Sequence, residues 1–196
     1  VPGTLKAKMN TLGVPLLYAA ARELNVPYEN NGSMVLAFGA EEEKTLYELK
    51  ERGEKNGIKN LKVISGDEAR KIEKNISPEA TAALLCESSG IICPYQLTIA
   101  AAGNAMDNGA ELKLNFNVSA IEKEDGVFTL TSDNGEKAFA HYVVNAAGAH
   151  SDEIADMAGD GFSKIIHRTG EYLLLDKTEG GKVTNTIFNV PTKEGK

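Results

Sequence analysis

Several things are scarce or missing in this chain of 196 residues, and each absence narrows its function. No apolar run approaches the length of a spanning helix and no signal-peptide pattern opens the chain, so nothing in these residues reads as a membrane span or a secretory address. Basic residues are outnumbered, 21 against 28 acidic, for a net charge of −7. That balance excludes the basic stripe expected of a nucleic-acid surface. Only two cysteines are present, Cys86 and Cys93, at a spacing that suits neither a zinc site nor a redox pair. Two reduced thiols of a cytosolic protein are the expected state, ahead of a disulfide. His141, His150 and His167 have no metal-like spacing with each other or with a cysteine, so no metal is expected. There is no internal repeat, no low-complexity stretch and no G-x-G-x-x-G phosphate loop. The chain opens "VPGTLKAKMN", without an initiating Met, and ends in the polar "VPTKEGK" with no closing element, which reads as a cut.

What is present is an ordinary globular balance, 42% hydrophobic and 25% charged, in a length suited to one domain or two small ones. "PLLYAAARELNVP" predicts a helix opened by Pro15, with Leu17, Ala20, Ala21 and Leu24 on one face, and stopped at Pro27. "SMVLAF" reads as a short strand and "GAEEEKTLYELKERGEKNG" as a helix with an acidic start, a basic end and Gly57 as its cap. "LKVIS" is strand-like. Ser65 and Glu68 then form a capping-box pattern for a helix over 66–74. A strand is expected within "EATAALLCESSG", then a second strong helix from Pro94 to Asn108-Gly109, whose small residues Ala100–Gly103 suit close approach to a sheet. "ELKLNFNVSAIEKEDG" predicts one or two strands, and Asn134-Gly135 turns a hairpin whose second arm runs through Tyr142–Val144. A helix in "SDEIADMAG" and strands in "SKIIHRTGEYLLLD" and "VTNTIFNVP" complete the reading.

One stretch carries a functional question. In "HYVVNAAGAHSD", residues 141–152, a strand runs into small residues, a glycine and a helix, the local build of a backbone that approaches a nucleotide. Taken in order with "GIICPYQLTIAAAGNA", "NVSAIE" and "IIHRTGEYLLLD", it resembles the middle of the FAD-dependent oxidoreductases of the D-amino-acid oxidase and glycerol-3-phosphate dehydrogenase superfamily. The likeness covers the chain from "KAKMN" to "IFNVP" and is greatest for the bacterial glycerol-3-phosphate dehydrogenase and L-2-hydroxyglutarate oxidase types. In that family the flavin domain is built from separated segments, the first carrying the glycine fingerprint. The resemblance therefore implies an internal piece of such an enzyme: α+β, with a mixed substrate-domain sheet and helices plus an incomplete FAD-binding, Rossmann-like lobe. The implied division is substrate domain at 1–88, partial FAD domain at 89–158, and a return to the substrate-domain sheet at 159–196.

The resemblance also implies site residues. Val118 matches the position whose backbone meets the adenine of the flavin nucleotide, although a valine there also reads simply as a buried strand residue. Ala146, Ala147 and Gly148 match the turn beside the dinucleotide, and equally make a tight strand-to-helix turn. On the substrate side, Arg168 is placed to pair with an anionic substrate and Tyr172 to line its pocket, against the plainer reading of an exposed arginine and a half-buried tyrosine. Gly90 and Pro94 carry a structural role at the crossing between domains. No catalytic base is identified.

The expected activity of the intact protein is oxidation of a secondary alcohol by hydride transfer to FAD, with glycerol 3-phosphate as the leading substrate. The alternatives are L-2-hydroxyglutarate, another 2-hydroxy acid or an amino acid within the same superfamily, and, in a different class, a non-catalytic interaction domain on a decayed nucleotide fold. FAD is expected in the intact protein and not held by this piece alone. The expected partners are a small anionic hydroxy substrate, an electron acceptor that the residues do not specify, no nucleic acid, and a second copy in a homodimer over exposed apolar surface. The expected location is cytoplasmic, membrane-peripheral at most in the intact protein.

Overall fold

The computed structural model describes residues 1–161 and 164–191. They fall into two compact units, Val1–Ala110 with Leu175–Lys196, and Glu111–Leu174.

The first unit is organised by a four-stranded sheet. Helix α1, Leu5–Glu23, precedes strands β1, Tyr28–Glu29, and β2, Ser33–Ala37; helix α2, Ala40–Lys55, leads to β3, Leu61–Ser65; helix α3, Gly66–Ile72, leads to β4, Ala82–Cys86, and β5, Ile91–Ile92; helix α4 spans Pro94–Asp107. β3, β4 and β2 pair antiparallel, and a strand contributed after the second unit pairs parallel to β2 at the sheet edge. β1 and β5 form a separate antiparallel ribbon.

Both faces of the four-stranded sheet are covered, which is why its strands read as near-continuous apolar runs. The side-chain period of two divides them. Met34, Leu36, Ala83 and Leu85 join Ala69, Ile76 and Ala80 on one face, while Ala37, Ala82, Leu84 and Leu61 join Leu46 on the other. Met34 and Leu46 are the largest side chains fully withdrawn from water, and burying such residues stabilises by about 1.5–3 kcal/mol each.

Helix ends follow local chemistry. The Thr4 hydroxyl accepts the Ala7 N–H at 3.3 Å and starts α1, so the helix opens well ahead of Pro15, which lies inside it. The expectation of a start at Pro15 is thereby corrected: a threonine cap with no acidic partner three residues on is a faint signal, and proline in a first turn is a strong one. α1 closes with Asn25 in the left-handed region, the Val26 N–H reaching Ala21 O at 2.7 Å. Gly57 and Gly109 close α2 and α4 in the same way, with Ile58 N–H on Gly53 O and Ala110 N–H on Ala105 O. The capping box at α3 forms as expected, Ser65 and Glu68 exchanging hydrogen bonds.

The second unit holds a three-stranded antiparallel meander, β6 Val118–Glu124, β7 Val127–Ser132 and β8 Lys137–Ala140, followed by a single 3-10 turn at Gly148–His150 and helix α5, Ser151–Met157. The Asn134-Gly135 turn forms with Gly135 at φ +87°. The Ser132 hydroxyl, almost wholly buried, donates toward Asn134 Oδ1 at 2.5 Å. The final strand, β9, Thr186–Asn189, returns the chain to the first unit's sheet beside β2.

Three further expectations are revised. Among the described residues the hairpin's second arm pairs only as far as Ala140; Tyr142 and Val144 lie outside any strand and are 89% and 88% exposed. Residues 164–176 contain no strand, and Tyr172–Leu174 are at least 94% exposed. Both segments have strand-like sequences but find no ladder partner among the described residues, and a strand is defined by its partner. The small-residue helix α4 has no buried residue, so its low bulk serves no close contact with a sheet in this chain. Ser163, the first residue of the strand expected in "SKIIHRTGEYLLLD", lies outside the described residues.

Candidate functional site

The six residues singled out by sequence all belong to the second unit, and they divide into a built part and an open part.

The built part begins at Val118. It is the first residue of β6, an edge strand of its sheet. The pairing shifts by one residue between Val118 and Ala120, so Ser119 sits in a bulge, its hydroxyl donating to Thr131 O at 3.1 Å. A bulge at an edge re-aims neighbouring side chains and interrupts the ladder. Val118 is half-buried, and the β6 edge has no partner strand among the described residues. Backbone groups along that edge are therefore available to a ligand.

Helix α5 packs against β6. The turn that delivers it is organised by Asn145, which the sequence pattern alone does not mark as a site residue. Its side-chain oxygen accepts the Ala147 N–H at 3.3 Å and its amide donates to Ser151 O at 2.7 Å. One asparagine thus spans the whole turn, an arrangement typical of short polar side chains that mimic backbone. Ala146, Ala147 and Gly148 are exposed along it. Gly148 has φ +58°, and a Cβ there would meet nothing within 4 Å. Glycine is favoured at this position by backbone conformation and not by lack of room.

The start of α5 is electronegative. Asp152 and Glu153 occupy its first turn. The Ile165 N–H, which donates to Asp152 Oδ2 at 3.1 Å, is the main cause holding the Asp152 carboxyl below its usual range. Glu153 accepts from His150 at 3.0 Å; that hydrogen bond, and then the carboxylate's charge, raise the His150 pKa. The His150 and His167 rings lie near one another, tilted by 51° with centroids 6.4 Å apart, and Lys164 pairs with Asp156. These contacts dock residues 164–167 onto α5.

Arg168 and Tyr172 form the open part. Both are exposed, on a segment without secondary structure, and the structure does not bring them against Val118 or the 146–148 turn by any hydrogen bond or ion pair among the described residues. The plainer expectation of a half-buried Tyr172 is corrected by its 94% exposure, since no partner strand covers it.

Whether these residues suit a flavin dinucleotide can be judged from the turn itself. Ala146 to Gly148 present no side chain beyond Cβ, so a flat or bulky group can lie against their backbone. The same site does not suit pyrophosphate. The two carboxylates at the start of α5 oppose an anion, and the Ala147 N–H is already taken by Asn145. The bare backbone of this turn thus leaves room for a flat group, and its acidic flank does not favour a phosphate.

Elsewhere, no cluster of His, Cys, Asp and Glu among the described residues could hold a metal, and no described helix is long and apolar enough to cross a membrane. A groove of about 620 Å³ lies in the first unit, between α1 and the 88–92 segment; Val14, Tyr18, Ile58 and Ile92 line it, and none of the six site residues does.

One mixed four-stranded sheet, two smaller antiparallel sheets and helices ended by local caps define an α+β fold. The chain belongs to the FAD dependent oxidoreductase family, DAO, whose family profile matches residues 2–195. It is 42% identical over its full length to the glycerol 3-phosphate dehydrogenase of Caloramator mitchellensis, covering 40% of that protein. It is 30% identical to the mitochondrial L-2-hydroxyglutarate dehydrogenase of Homo sapiens, with 97% of this chain covering 43% of that one. Among solved structures it superposes on the dithionite-reduced L-α-glycerophosphate oxidase from Mycoplasma pneumoniae with FAD bound, at a TM-score of 0.83 and 26% identity, over 100% of this chain and 52% of that one. The chain thus spans about half the length of the relatives it matches, or less.

Proposed function

We propose that this chain supplies a substrate-side sheet and one wall of the flavin site in an FAD-dependent dehydrogenase that oxidises the secondary alcohol of glycerol 3-phosphate. The observation that carries this reading is the 42% identity, sustained over the whole chain, to a glycerol 3-phosphate dehydrogenase. FAD in such an enzyme accepts the hydride from the alcohol carbon, and the protein's part is to bind, orient and exclude water.

Within this chain we assign the following division of labour. The β6 edge at Val118 offers backbone groups to the adenine end of the nucleotide. Ala146, Ala147 and Gly148 let the dinucleotide lie against bare backbone, and Asn145 holds that turn in shape. Arg168, an exposed guanidinium without an ion pair among the described residues, is suited to a bidentate grip on the substrate phosphate. Tyr172 lines the same pocket. The proton acceptor for the substrate hydroxyl is not assigned to any residue here. The setting we favour is cytoplasmic or peripheral to a membrane.

A second reading is oxidation of L-2-hydroxyglutarate, supported by 30% identity to the human mitochondrial enzyme. The deciding experiment assays the complete protein with glycerol 3-phosphate, L-2-hydroxyglutarate and amino acids in parallel, with flavin content measured on the same sample. Turnover confined to glycerol 3-phosphate supports the first reading. Turnover with hydroxyglutarate alone supports the second, and a protein without flavin defeats both. The 196-residue chain alone is expected to retain no stoichiometric FAD, because its turn does not suit the pyrophosphate.

A further inference from the structure

We propose that Glu73 is a positioning residue that fixes the register of β9 against β2, and so decides how the chain re-enters the first unit after its excursion through the second. β9 has four residues and, among the described residues, pairs with β2, in parallel. A strand that short has few ladder bonds to hold its register, so side-chain contacts at its entrance add to what the apolar face specifies. A slip of one residue would exchange the faces of Ile187 and Phe188, and Ile187 now packs against the Met34–Leu85 cluster.

The contacts at the strand entrance specify one register. Glu73 is only 4% exposed and follows the last turn of α3. Its Oε2 accepts the Thr184 N–H at 2.7 Å, the Thr184 hydroxyl at 2.9 Å and the Asn185 N–H at 3.2 Å. No cation pairs with it among the described residues, so these donors, not a salt bridge, compensate its burial. The Asn31 side-chain amide donates to Thr184 O at 2.9 Å, the Asn185 side-chain amide donates to Asn31 O at 2.5 Å, and the Thr186 N–H donates to Gly32 O at 3.2 Å. Asn31 and Gly32 immediately precede β2, the strand on which β9 must align. Gly32 leaves just enough room: a Cβ there would stand 3.0 Å from the Asn185 amide nitrogen. A slip of one residue would withdraw the threonine hydroxyl from the carboxylate and both asparagine contacts together. All of these groups lie within the first unit, so the inference does not depend on the flavin reading.

The test is residue-resolved amide hydrogen exchange on the 196-residue chain and its Glu73→Ala, Glu73→Gln and Thr184→Val variants. Glu73→Ala should speed exchange in Ile187–Asn189 by about tenfold or more while Leu84 and Leu85 keep their protection. Glu73→Gln should fall between, because an amide oxygen still accepts but carries no charge. Proximity of Val35 and Phe188, the present register partners, should be lost in Glu73→Ala and partly kept in Glu73→Gln. Unchanged exchange in β9, or equal loss of protection in β9 and β4, overturns the proposal. Should Glu73→Ala fail to fold, the same comparison of β9 with β4 in Glu73→Gln and Thr184→Val decides the matter by the same outcomes.

Discussion

A side chain at Gly90 would place its first carbon 2.5 Å from the Glu29 carbonyl oxygen. It would also stand 2.7 Å from the Tyr18 hydroxyl, which accepts from Asn30 and donates to Ser88 O. The β1–β5 ribbon therefore closes over a glycine that no other residue can replace without moving backbone. Gly90→Ala should destabilise the chain by about 1–3 kcal/mol in denaturant titration. Gly103→Ala is the control. It lies inside α4 with nothing within 4 Å of the new methyl, and should be neutral or stabilising by up to about 1 kcal/mol. Equal effects at the two sites would remove the argument from close approach.

The capping box gives a second prediction. Glu68 is held below its usual pKa first by the Ser65 N–H and then by the Ser65 hydroxyl. A lowered carboxyl pKa contributes stability above the unfolded-state value, and that contribution is lost as pH falls through the folded value. Ser65→Ala should weaken α3 by about 1 kcal/mol and move the Glu68 titration upward, seen in carboxyl carbon shifts. A Glu68 titration identical in the variant would refute the reciprocal cap.

His150 has the opposite sign. Glu153 raises its pKa, first by the hydrogen bond and then by charge, with Asp152 adding to the effect. Its contribution is complete below the unfolded histidine value and disappears as pH rises through the raised folded value. Glu153→Gln should bring the His150 titration down toward the ordinary range by imidazole NMR.

Asn145 should matter for the turn more than for the fold. Asn145→Ala removes both hydrogen bonds that span 145–151. Faster proteolysis in this turn is expected, with β6–β8 protection retained. In the complete protein the same change should weaken FAD binding by about tenfold. Unaltered flavin affinity would separate the turn from the cofactor wall.

The Arg168 assignment is tested by kinetics on the complete protein. Arg168→Lys keeps the charge but loses the planar fork, so KM for glycerol 3-phosphate should rise with kcat little changed. No change in KM would argue that Arg168 lies away from the substrate anion.

Much of this protein is decided by local sequence. The capping box at Ser65–Glu68, the left-handed closures at Gly57 and Gly109, the Asn134-Gly135 turn and the apolar strands β2 and β4 were all legible, because each rests on contacts between near neighbours. The family was legible too, since "NVSAIE" and "VVNAAGAHSD" stand in a recognisable order. Tertiary structure decided what depends on partners. Tyr142, Val144 and Tyr172–Leu174 have strand composition yet lie exposed, because a ladder needs a second strand and composition cannot supply one. Glu73 reads as one more acidic residue at a helix end, and becomes a buried acceptor only when Thr184 and Asn185 arrive from more than 100 positions away. Sequence sets the caps, turns and faces. The long-range return of the chain determines which polar groups are buried together, and that sets the strand register.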